Sequence, residues 1–141
     1  MNKKIRVSRI VLLAAILLLA GGILWSRHLP PSLVCPLPQQ TDRLSVTLDV
    51  NAGELRNITL QDAAGIGQIR ELLEACTFRF AGFSGAISYA DCPDGTILSL
   101  HAGELHLNLC SDGTVYRGGC RFRANGPEIG RLCALLTGYF S

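Results

Sequence analysis

No Cys-x-x-Cys pair occurs anywhere in the 141 residues, which removes ribbon-type zinc sites and thioredoxin-type redox sites together. Gly82-Phe83-Ser84-Gly85 is the nearest approach to a serine nucleophile elbow, but it lacks the spacing Gly-x-Ser-x-Gly and reads as a flexible turn. Lysine is absent beyond Lys4. Every later basic residue is an arginine, scattered except for Arg117, Arg121 and Arg123, so the folded part carries no basic stripe of the kind nucleic-acid binding needs. No catalytic residue and no cofactor is assigned, because no segment carries a specific motif for either.

What the chain does have is at its beginning. Lys3, Lys4, Arg6 and Arg9 precede sixteen uninterrupted apolar residues, Ile10 to Trp25. The basic stretch resists transfer across a bilayer, so the N-terminus is expected in the cytoplasm and the remainder on the far side. Sixteen helical residues span roughly 24 Å, a little short of the ~30 Å hydrocarbon core; snorkelling by Arg9 and an interfacial Trp25 make up the difference. The alternative is a secretory signal cleaved behind Ala20 and Gly22, with the rest released as a secreted domain. Against it, Ile23, Leu24 and Trp25 continue the apolar run past that site. Four of the thirteen basic residues lie before Ile10, leaving nine against eleven acidic ones and a formal charge of −2 on everything that follows.

Residues 26–41 contain Pro30, Pro31, Pro36 and Pro38 and are expected to form an extended, semi-rigid spacer, leaving 42–141 as one small domain. Leu44, Val46, Leu48 and Val50 alternate with polar residues as a half-buried strand, and Asn51-Ala52-Gly53 is a three-residue bulged hairpin loop placing Val46 opposite Ile58. Asp62 is a helix N-cap before the stripe Ile66, Ile69, Leu72, Leu73, Cys76. Strands are expected over 86–91, 97–101, 105–110 and 114–123, and a final helix is expected to start at Asn125-Gly126-Pro127-Glu128. With Asp112-Gly113 as a two-residue loop, Leu105, Leu107, Leu109, Tyr116, Cys120 and Phe122 share the core face. His106, Asn108, Cys110, Val115, Arg117, Arg121 and Arg123 then lie opposite. Ala52-Gly53-Glu54-Leu55 recurs as Ala102-Gly103-Glu104-Leu105, a faint internal echo.

Six cysteines on the far side of a membrane permit disulfides, but the pairing is open beyond the exclusion of Cys110–Cys120, whose side chains point to opposite faces. Cys76 and Cys133, on the buried helix stripes, also fit as small core hydrophobes. The histidines come nearest to a constellation. A two-residue Ala102-Gly103 turn places His101 diagonal to His106, about 7 Å away, with Cys110 on the same outer face. No metal ligand set is assigned; His101, His106 and Cys110 are the candidates for one. Ile87, Tyr89, Ile97 and Val115 are expected on that face too, giving a mixed apolar and polar surface that either binds a partner or is covered by a helix or loop of the same chain.

The sequence therefore predicts an α+β protein: cytoplasmic n-region 1–9, transmembrane anchor 10–25, linker 26–41, and a domain 42–141 of about six strands in antiparallel hairpins packed with two amphipathic helices. The function expected is non-enzymatic contact or sensing by an extracytoplasmic domain, its partners being the lipid bilayer through Ile10 to Trp25 and an unidentified protein, not nucleic acid. The competing expectation is a metal- or thiol-dependent activity centred on His101, His106 and Cys110.

Overall fold

A run of apolar residues without proline satisfies its backbone internally, and helix α1 spans Asn2–Arg27 without a break, passing through Gly21 and Gly22. The computed structural model describes residues 2–51 and 53–141. Within Arg6–Arg27 a window of 18 residues has a mean hydropathy of 2.4, and none of its residues is buried in the fold.

The proline-rich segment is not a spacer. Leu29, two residues past α1, bridges Phe78 through reciprocal backbone hydrogen bonds, and a short helix, α2 (Pro31–Val34), follows. Leu29, Val34 and Cys35 are buried in the main core. The physical reason lies in what proline leaves behind, since it removes N–H donors but not carbonyl acceptors. Arginines of the domain donate to those carbonyls: Arg70 to Leu37 O at 2.9 Å and Pro38 O at 2.6 Å, and Arg117 to Leu33 O at 2.8 Å and Val34 O at 3.2 Å.

Seven strands, one more than expected, form a single antiparallel sheet: β1 (Leu44–Val50), β2 (Glu54–Leu60), β3 (Thr77–Phe83), β4 (Thr96–Ala102), β5 (Leu105–Leu109), β6 (Thr114–Arg117) and β7 (Cys120–Asn125). Their spatial order is β2-β1-β4-β5-β6-β7-β3. Helix α3 (Ala63–Glu74) lies in sequence between β2 and β3, the two edges of the sheet, and α4 (Glu128–Gly138) follows β7. Inner-face residues such as Val46, Leu100, Leu107 and Leu109 bury against Ile66, Ile69 and Leu73 of α3 and Ile129, Leu132 and Leu136 of α4. The Asp62 carboxylate accepts from Gly65 N at 2.7 Å, capping α3 as its sequence suggests. Asn125 does not cap α4. It ends β7, and its side-chain amide donates instead to Arg27 O at 2.9 Å.

Turn chemistry accounts for the differences in register. Val46 pairs with Ile58 and Leu44 with Leu60, as the three-residue loop requires. The next hairpin turns on Gly103-Glu104 instead of Ala102-Gly103, with only Gly103 at positive φ (+60°), so His101 faces His106 directly. At the third, Gly113 N donates to Cys110 O and Cys110 N to Thr114 O, making a three-residue loop over Ser111-Asp112-Gly113. The extra residue places Val115 opposite Leu109 on the inner face and turns Tyr116 outward, the reverse of the two-residue expectation. The expected strand 114–123 then breaks at Gly118-Gly119, whose φ values of +56° and +77° suit a tight hairpin. That second turn restores the parity, so Phe122 packs inward while Arg121 and Arg123 stay outward and Arg117 faces the helices.

Residues 86–91 are not a strand. Tyr89–Asp91 is a 3-10 turn, closed because the Asp91 carboxylate accepts from Ser88 N at 2.8 Å and Ser88 Oγ at 3.0 Å. Their place in the strand count is taken by β3, which pairs with β7 through a bulge between Phe80 and Gly82. The internal echo stops at its turns, one with a three-residue and the other with a two-residue loop.

Candidate functional site

Helices α3 and α4 both pack on the inner face, so neither covers the outer face of the sheet. Residues 84–95 cross it and cover its centre. Cys92, Ile97, Cys110 and Tyr116 form a second, smaller core there, with Ile87 and Tyr89 packed against it. The disulfide Cys92–Cys110 and a hydrogen bond of 2.6 Å from the Tyr89 hydroxyl to Asp49 Oδ1 pin the middle of the cover, and backbone bonds from Ser84 N to Gly119 O and from Asn51 N to Gly95 O hold its ends. Because the Asp49 carboxylate holds that proton, the pKa of Tyr89 is raised.

One flank of the cover is a neutral, polar shelf. Register sets Ser45 beside His101 and His106, and Thr47 beside Ser99 and Asn108. Ser99 Oγ donates to Asn108 Oδ1 at 2.7 Å and Ser45 Oγ to Asn57 Oδ1 at 3.0 Å. The exposed imidazoles of His101 and His106 lie with ring centroids 3.9 Å apart and planes inclined at 31°. Partial burial and then repulsion from His106 lower the pKa of His101, so the neutral ring is favoured. Next to the shelf a cleft of about 430 Å³ opens between Ile87, His106, Asn108, Tyr116 and the Gly118-Gly119 turn.

Of the three candidate ligands from the sequence, two converge. His101 and His106 meet more closely than the expected diagonal, whereas Cys110 is fully buried and spent in the disulfide. Among the described residues no group of three or more His, Cys, Asp or Glu side chains is placed to hold a metal ion. A nucleophilic Cys110 activated by His106 is excluded on the same ground, since a disulfide sulfur has no thiolate to offer.

The other thiols divide by depth. Cys35, Cys76 and Cys133 are buried, and burial is the main cause that pushes their pKa values up to about 12, 11 and 11. Cys120 alone is partly exposed. The far flank of the cover is different in charge: Arg79, Arg121 and Arg123 border a second cleft of about 340 Å³ together with Asp91, Asp112 and Tyr116. Sequence reading missed Arg79 because β3 was not foreseen, although the alternation Thr77-Phe78-Arg79-Phe80 carries a short strand signal.

Comparison of the chain with protein-family models, with curated proteins and with solved structures found no match.

Proposed function

We propose that the protein is a single-span membrane protein, N-terminus cytoplasmic, whose extracytoplasmic α+β domain works by contact with a protein partner through the open flank of its outer sheet face, without catalysis. The observation that carries this reading is α1, whose apolar run Ile10 to Trp25 has no residue buried in the fold; left in water, so much exposed apolar area is a large uncompensated cost. The basic residues Lys3, Lys4, Arg6 and Arg9 ahead of it favour a cytoplasmic N-terminus. A disulfide is in keeping with an oxidising compartment. Since Leu29 is already bonded to β3, the domain would rest on the membrane surface with no stalk between.

Two measurements on the membrane fraction test it. The mass of the mature chain should include residues 2–22, and protease added outside sealed cells should digest 42–141 while sparing the N-terminus. A mature chain starting near Ile23, or a domain digested only after lysis, overturns the reading.

A further inference from the structure

Like charges set directly opposite each other on neighbouring strands destabilise a sheet. Arg79 of β3 is paired in register with Arg123 of β7, and Arg121 lies two residues away on the same face. All three are exposed and border one cleft of about 340 Å³. Among the described residues the one ion pair is Glu54–Arg56, far along the sequence from this cleft, so neither Arg79 nor Arg123 has a carboxylate partner. The two acidic residues at the rim are occupied locally. Asp91 accepts from Ser88 N and Oγ, and Asp112 Oδ1 accepts from Thr114 N at 3.0 Å. Arg121 spends one N–H on Ala81 O at 3.0 Å, which holds its guanidinium over the bulge. Three cations against two aspartates leave the cleft net positive, with unused planar donors.

The basic cluster read from the sequence was Arg117, Arg121 and Arg123. The fold divides it, sending Arg117 to the opposite face, where it binds the carbonyls of Leu33 and Val34, and bringing Arg79 in from β3 to replace it. An arrangement that costs stability when empty is explained by a ligand that neutralises it. Guanidinium groups match tetrahedral oxyanions in bidentate fashion, and the Tyr116 hydroxyl at the cleft wall is a further donor.

We propose that the Arg79–Arg121–Arg123 cleft binds one phosphate group, carried by a free phosphate or by a phospholipid headgroup. The full chain in neutral detergent micelles is melted at matched ionic strength in sodium chloride, in sodium phosphate, and in chloride with a short-chain phosphatidic acid. Phosphate, the phospholipid or both should raise Tm by about 4 °C or more over chloride. A gain from phosphate identifies the free anion as sufficient, and a gain from the lipid alone identifies the headgroup. Arg79→Gln and Arg123→Gln should abolish the gain, Arg56→Gln should keep it, and both cleft variants in chloride should melt no lower than the unsubstituted chain. The proposal is overturned if neither compound exceeds chloride, if the gain survives in either cleft variant, or if those variants are destabilised without ligand.

Discussion

Leu29 N donates to Phe78 O at 2.6 Å and Phe78 N to Leu29 O at 3.0 Å, an antiparallel bridge that makes the residues just past the apolar helix part of the sheet edge. Phe78 is fully buried and Leu29 nearly so. Removing residues 26–41 therefore exposes core. Burial of Leu29, Val34 and Cys35 together is worth about 4–6 kcal/mol. A chain starting at Asp42 is expected to lose about that much relative to one starting at Ser26, or to fail to fold, and urea denaturation of the two would show it. Equal midpoints would mean that the segment is merely draped on the domain.

The Cys92–Cys110 disulfide joins residues 18 apart, for which loop-closure entropy gives about 3 kcal/mol. Cys92→Ala should cost roughly that, and reduction of the unsubstituted protein should cost the same. Because Cys92 anchors the cover, hydrogen exchange should accelerate in residues 84–95 while the amides of β1 stay protected.

Native thiol labelling at pH 8 should modify Cys120 first. Cys35, Cys76 and Cys133 are buried thiols with pKa values of about 12, 11 and 11, so at that pH they are protonated as well as inaccessible. Mass spectrometry should find a single adduct until denaturant is added; early adducts on Cys76 would contradict the depth assigned to it.

Gly113 holds φ at +90°, and a Cβ there would stand 3.2 Å from Ile129 Cγ2. Gly113→Ala should cost about 2–3 kcal/mol, combining backbone strain with a push on α4, whereas Gly103→Ala, at φ +60° in open space, should cost only about 1. Thermal melts of the two variants check the three-residue loop, because a two-residue Asp112-Gly113 turn would not bring Gly113 against α4.

His101 sets a pH dependence. Its folded pKa lies below the ordinary 6.5, so as pH falls the unfolded chain takes up the proton first and the folded state is progressively disfavoured from about 6.5 down through the folded value. Above 6.5 the contribution is flat. His101→Gln should flatten the dependence of the urea midpoint between pH 7.5 and 5, modestly, since the ring is largely solvent-exposed. A steeper fall in the variant would place the repulsion elsewhere.

Several elements are legible in the order of residues alone. The apolar period of two in β1 and the period near 3.6 in α3 and α4 depend only on which side of an element is wet, and Asp62 caps α3 as its position implies. The outward position of His101, His106 and Cys110 is legible for the same reason. Parity around Tyr116 is not: Asp-Gly serves two-residue and three-residue loops alike, and one residue of difference exchanges Val115 with Tyr116. Nor is β3 visible, since a bulged edge strand has only a few alternating residues.

By itself, the sequence determined the apolar N-terminal helix, the α+β class and the faces of β1, β2, β4, β5 and β7, because these follow from local patterns of hydrophobicity and turn residues. Only the tertiary structure decided that the proline segment is core, that Cys92 meets Cys110, and that Arg79 joins Arg121 and Arg123. Each of these joins residues remote in the chain, and the path that brings them together, with β3 placed at the edge beyond β7, is set by where the whole sheet can bury its inner face.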